Sequence, residues 1–120
     1  MQAKILIIDN DPEILSIMTF ILEDLNYKVI GRLKTDDIVL ELEMIKPDLV
    51  MLDNLLSGIS GSEICKKIKS DKNTKHIPVF LISAVSGLEI IAKECFADGF
   101  IEKPFDLSYF EKTVISAVGN

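Results

Sequence analysis

Four short stretches of this 120-residue chain carry residue types that chemistry can use: Asp9-Asn10-Asp11, Asp53, Ser83-Ala84 and Lys103-Pro104. Carboxyl and amide oxygens gathered together suit a hard divalent cation such as Mg²⁺, which prefers oxygen ligands and keeps several waters. Beside such a cation Asp53 has the makings of a nucleophile. A carboxylate that attacks a phosphoryl donor forms an acyl phosphate, and the negative charge that develops must be met by a metal, a cation and hydrogen-bond donors. Mg²⁺, Lys103 and Ser83 are of the right kind to meet it. The same groups would hold the product, because a phosphoryl group brings about two negative charges and several strong acceptor oxygens. One at a time, these residues read as turn formers or helix caps, and Asp11 reads as a cap first. Their combination is what carries information.

The elements that must position them follow from hydrophobic patterning. Short apolar runs at 4–8, 27–30, 48–52, 78–82 and 99–102 alternate with longer amphipathic segments, which predicts an α/β domain built round a parallel sheet. The first, third and fourth runs are solidly apolar, as central strands covered on both faces should be, and the second and fifth are expected to be less buried. Pro12 suits the first position of a helix after Asp11, and Ile14, Leu15, Ile17, Met18, Ile21, Leu22 and Leu25 recur at helical spacing. A second helix is expected over about 36–45, ended by Lys46-Pro47. Ser60-Gly61-Ser62-Glu63, Ser86-Gly87-Leu88-Glu89 and Ser108-Tyr109-Phe110-Glu111 each match a capping box, predicting the starts of helices three, four and five. Ligands of open α/β sheets bind beyond the carboxyl ends of the strands. Every reactive stretch named above falls at such an end.

Composition sets the bounds. A chain of 120 residues, 48% hydrophobic and 27% charged, is expected to fold as one domain over 1–120 with one core. Nineteen acidic against thirteen basic residues give a formal charge of −6, which disfavours direct nucleic-acid binding. Lys66, Lys67 and Lys69 read as a solvated helix face. The run from Ile5 to Ile8 is too short for a signal-peptide core or a membrane span, so a cytoplasmic location and no membrane partner are expected. Cys65 and Cys95 stand at unrelated spacing and are expected to be buried reduced thiols, and with His76 the sole histidine no zinc site is expected. No Gly-rich phosphate loop follows the first strand.

On residues 4–11 (KILIIDND), 48–61 (DLVMLDNLLSGISG), 81–84 (LISA) and 103–105 (KPF), the sequence resembles the response-regulator receiver family of two-component signalling, over essentially the whole chain. The resemblance implies a flavodoxin-like (βα)5 fold, doubly wound, with a five-stranded parallel sheet in the order 2-1-3-4-5 and helices on both faces. It implies that Asp53 accepts the phosphoryl group. Asp9, Asn10, Asp53 and the backbone carbonyl of Leu55 would hold Mg²⁺, with Asp11 a helix cap or a ligand through water. Ser83 and Lys103 would bind the phosphoryl group, and Phe100 falls at the aromatic switch position. The donor would be a sensor histidine kinase or a histidine phosphotransfer protein. The domain would be no enzyme beyond its own phosphorylation and dephosphorylation. Its output partner is unspecified, with homodimerisation through the helix 4, strand 5, helix 5 face as one output.

Two departures stand out. Asn10 occupies the place of the family's second acidic residue, so one negative charge beside the cation is missing, and weaker Mg²⁺ binding with slower phosphorylation is expected. Ser57 replaces a proline common in the loop after the acceptor. Two other functions fit parts of the pattern. A receiver fold that signals by protein contacts alone would tolerate Asn10. A haloacid-dehalogenase-like phosphatase would use Asp9 as nucleophile, although Pro12-Glu13 stands where that family continues with Gly-Thr.

Overall fold

The structure is a computed structural model and describes residues 2–56 and 58–119, so the departure at Ser57 lies outside the described residues. Strands and helices alternate: β1 (Lys4–Ile8), α1 (Pro12–Asp24), β2 (Lys28–Arg32), α2 (Ile38–Ile45), β3 (Leu49–Asp53), α3 (Gly61–Ser70), β4 (Val79–Ser83), α4 (Leu88–Glu94), β5 (Gly99–Glu102) and α5 (Leu107–Val118). All neighbouring strands run parallel, in the order β2-β1-β3-β4-β5. This is the predicted doubly wound arrangement.

Side-chain alternation along the strands divides the core in two. Leu6, Ile8, Val50, Leu52, Val79 and Leu81 pack towards α2, α3 and α4, whereas Ile5, Ile7, Leu49, Met51 and Ile82 pack towards α1 and α5. A strand covered on both faces cannot alternate with polar residues, which is why β1, β3 and β4 read as continuous apolar runs. The edge strands β2 and β5 are more exposed, as their mixed sequences predict. β2 begins one residue later and ends two residues later than its apolar run suggests. The Tyr27 amide bonds back to Leu22 in the turn leaving α1, while Gly31 and Arg32 pair with Ile7 and Ile8.

Helix starts show where sequence signals hold. Asp11 caps α1, accepting from the amides of Glu13 and Ile14, and Asp37 caps α2. Ser60 caps α3 as predicted, with its hydroxyl accepting from the Glu63 amide at 3.2 Å. The other two boxes are corrected. α4 begins after Gly87, which takes a left-handed φ of 75° and supplies no side-chain bond. α5 is capped by Asp106, which accepts from the Tyr109 amide at 3.2 Å. There a carboxylate two residues upstream takes the role, and Ser108 sits inside the first turn.

Candidate functional site

Strand register builds the site. Ile8 pairs with Leu52, so Asp9 and Asp53, each one residue further on, come level at the carboxyl end of the sheet. Asp53 pairs with Ile82 and Ser83 with Glu102, which puts Ser83 beside Asp53 and Lys103 just beyond β5. Asp53 and Ser83 are thus the last residues of β3 and β4 and not loop residues, and the sheet itself holds both.

Among the described residues the buried polar or charged side chains are Asp9, Asp53, Thr74 and Ser83, and all but Thr74 line this one crevice. Asp9 is 1% exposed and has both oxygens engaged: Oδ1 accepts from the Asp11 amide at 2.9 Å, and Oδ2 pairs with Lys103 Nζ at 2.9 Å. Lys103 Nζ stands 3.7 Å from Asp53 Oδ2, so the lysine bridges the two carboxylates and holds Asp9 more closely. Asp53 Oδ1 accepts from the Leu55 amide at 3.1 Å. Burial raises the Asp53 pKa above its ordinary value. The Leu55 amide and Lys103 lower it, and the neighbouring Asp9 carboxylate raises it again. Burial, the largest of these effects, outweighs the Leu55 amide and Lys103.

Ser83 Oγ accepts from the Val85 amide at 3.3 Å, which leaves its own hydroxyl proton to donate. The Lys103 amide donates to the Ser83 carbonyl at 2.9 Å and ties the two strand ends together, and the Lys103-Pro104 bond is cis. Asn10 is exposed at the rim beside Asp9, and Asp11 spends one carboxylate oxygen on the start of α1. Phe100 is half-buried and packs on the α2, α3 and α4 side of the sheet.

Two residues that sequence reading left without a role complete the geometry. Asn54 Oδ1 accepts from the Ser62 amide at 2.9 Å, and its carbonyl accepts from the Gly61 amide at 3.0 Å, closing the loop after Asp53 onto the first turn of α3. At Gly61 a Cβ would stand 2.3 Å from the Asp53 carbonyl oxygen. Only the absence of a side chain lets α3 start so close to the acceptor strand. Gly61 lay within the motif read from the sequence, but nothing in that motif says its neighbour is the Asp53 backbone.

The ionisable oxygens brought together here are those of two buried carboxylates, Asp9 and Asp53. With one ammonium shared between two carboxylates, that set fits a hard divalent cation. No helix among the described residues is long and apolar enough to cross a membrane.

Comparison with known proteins identifies the family and the fold. The response regulator receiver domain family matches residues 5–115. The DNA-binding dual master transcriptional regulator RpaA of Synechocystis is 33% identical over 111 residues, covering 88% of this chain and 45% of that protein. The chain spans about half the length of the curated relatives it matches. Among solved structures, the BeF3-activated DrrB receiver domain superposes with a TM-score of 0.85 at 29% identity, covering 100% of both chains. The signal receiver domain of a signal transduction histidine kinase from Syntrophus aciditrophicus gives 0.89 at 27% identity, covering 98% of this chain and 90% of that one.

Proposed function

The chain belongs to the response regulator receiver domain family, and from that membership we propose that Asp53 accepts a phosphoryl group in a two-component or phosphorelay pathway. The observation that carries the reading is Lys103 Nζ, poised 2.9 Å from Asp9 and 3.7 Å from Asp53 in a crevice that also holds the Ser83 hydroxyl. Asp53 Oδ2 is the least engaged carboxylate oxygen there and is the attacking atom. Asp9, with both oxygens engaged, serves as a ligand and charge partner, which argues against a phosphatase that uses it as nucleophile. Attack forms a bond from Asp53 Oδ2 to phosphorus as the bond from phosphorus to the leaving group breaks. Lys103 turns from Asp9 to a phosphoryl oxygen, and Ser83 donates its hydroxyl proton to another. Asp9, Asn10, Asp53 and the Leu55 carbonyl would hold Mg²⁺. Bound there, Mg²⁺ supplies charge neutralisation for the transferring group.

The phosphoryl group draws Ser83 and the loop after it inward, and Phe100 repacks in the space released, shifting the population between two conformations. A sensor histidine kinase or a histidine phosphotransfer protein is the donor, in the cytoplasm. The output surface formed by α4, β5 and α5 passes the shift on, either to a partner or to a second copy of the domain. RpaA is described as DNA-binding. In this chain the net charge of −6 disfavours direct nucleic-acid contact.

The test is incubation with acetyl phosphate or phosphoramidate and Mg²⁺, read by intact mass. The wild type should gain one phosphoryl group, Asp53→Ala none, and Asn10→Asp should label about tenfold faster, as one added charge at the cation suggests. A wild type that stays unlabelled while Asn10→Asp is labelled would instead favour a phosphorylation-independent binding module.

A further inference from the structure

Thirty residues apart in sequence, Cys65 and Cys95 are brought together by the fold. Cys65 lies on the inner face of α3 and Cys95 closes the C-terminal end of α4. Both are fully buried free thiols in the same core cluster. Cys65 Sγ donates to the backbone carbonyl of Cys95 at 3.3 Å, and Cys95 Sγ to that of Ala92 at 3.4 Å. The expectation of buried reduced thiols is met, and their pairing, which the sequence spacing hides, is new.

We propose that Cys65 and Cys95 are an oxidation site, forming a reversible intramolecular disulfide that ties the end of α4 to α3 when a hydroperoxide reaches them. One thiol, as thiolate, attacks the peroxide oxygen. The O–O bond breaks, the sulfur is oxidised to sulfenic acid, and the displaced oxygen leaves as water or an alcohol. The second thiol then attacks that sulfur, an S–S bond forms, and water leaves, so two thiols lose two protons and two electrons to one peroxide.

Access comes from the weakness of α4. The helix has seven residues and no side-chain bond at its N-cap. The residue after Cys95, Phe96, is 71% exposed and holds a φ of 64°, a backbone conformation that a bulky side chain resists. A short, strained and weakly capped element opens locally while the sheet stays formed. In the closed fold, burial and the neighbouring Cys95 thiol raise the Cys65 pKa well above its ordinary value, so Cys65 stays protonated and inert until α4 loosens. The site makes no use of Asp53 and stands independently of phosphoryl transfer.

The test treats the 120-residue chain with hydrogen peroxide, alone and in urea too dilute to unfold it, then alkylates remaining thiols under denaturing conditions. The expected product is two hydrogen masses lighter, carries no alkyl group, maps to a linked Cys65–Cys95 peptide pair, and returns to the starting mass with dithiothreitol. Oxidation should rise with urea. In Cys95→Ala the reaction should stop at a sulfenic acid on Cys65 that dimedone traps. Two alkylatable thiols in every condition, sulfinic acid on either cysteine, or disulfide-linked dimers as the main product would overturn the proposal. Wild-type mapping decides the matter alone if the variant does not fold.

Discussion

Helices α3 and α4 each follow a strand that ends in a crevice residue, Asp53 or Ser83, and each has a Ser-x-x-Glu sequence at its start. Their first turns are nevertheless built differently. At α3, Ser60 accepts from the Glu63 amide, Asn54 Oδ1 accepts from the Ser62 amide, and Gly61 lies against the Asp53 backbone. At α4 the cap position falls to Gly87, and no side chain bonds to the helix start. The end of the crevice at Asp53 is clamped. The end after Ser83 is held by no side-chain cap. The proposed function asks for preorganisation at Asp53 and mobility near Ser83, and the two helix starts differ in that direction.

The largest expected effect comes from giving each start a side chain. Gly61→Ala would place Cβ 2.3 Å from the Asp53 carbonyl oxygen and 2.9 Å from Asn54 Cα, both backbone atoms with no easy retreat. A loss of about 3 kcal/mol in urea unfolding is expected, on the scale of overpacking in a closed site. Slower labelling of Asp53 should accompany it. Gly87→Ala meets nothing within 4 Å and bears only the left-handed φ of 75°, a cost of about 1 kcal/mol. Equal losses at the two glycines would break the distinction between a clamped and a loose start.

A smaller effect separates the two strand ends by charge. The Asp53 pKa is raised above the ordinary 3.8, burial being the main cause, so the folded state holds this proton more tightly than the unfolded chain does. The stability contributed by the protonated group is fully present below the unfolded pKa and is lost as pH rises through the folded one. Without divalent cations, Asp53→Asn should therefore match the wild type in acid and become more stable than it towards neutral pH. Ser83→Ala, which removes a neutral acceptor from the Val85 amide, should show a loss that does not change with pH. Thermal unfolding from pH 3 to 7 in the presence of EDTA, roughly the interval over which a carboxylate titrates, distinguishes the two. A pH-independent Asp53→Asn would mean that Lys103 already offsets the burial.

The same contrast marks how far the sequence could be read. The three central strands and the positions of Asp9, Asp53 and Ser83 at their ends were legible because central parallel strands must be apolar throughout, so a polar residue that closes such a run marks its end. What escaped depended on backbone meeting backbone or on distant helices meeting. The approach of Gly61 to Asp53, the Asn54 bond to Ser62 and the contact of Cys65 with Cys95 leave no periodic trace. Local capping patterns failed where a competing residue stood close by: Gly87 displaced Ser86, and Asp106 displaced Ser108.

The smallest expected effect tests that last point within one chain. Ser60→Ala removes the oxygen that accepts the Glu63 amide, and a lost cap of this type costs about 1 kcal/mol. Ser86→Ala changes the residue with the same place in the same four-residue pattern, but Ser86 is exposed and the helix beyond Gly87 takes no bond from it. Its cost should stay within a few tenths of a kcal/mol, the usual range for exposed positions of no special role. Amide exchange gives the matching local readout. Ser60→Ala should speed exchange at Glu63, while Ser86→Ala should leave Leu88 and Glu89 unchanged. A cost near 1 kcal/mol at Ser86, with faster exchange at Glu89, would mean that a serine cap forms at α4 for part of the time and holds the switch end more firmly than its hydrogen bonds suggest.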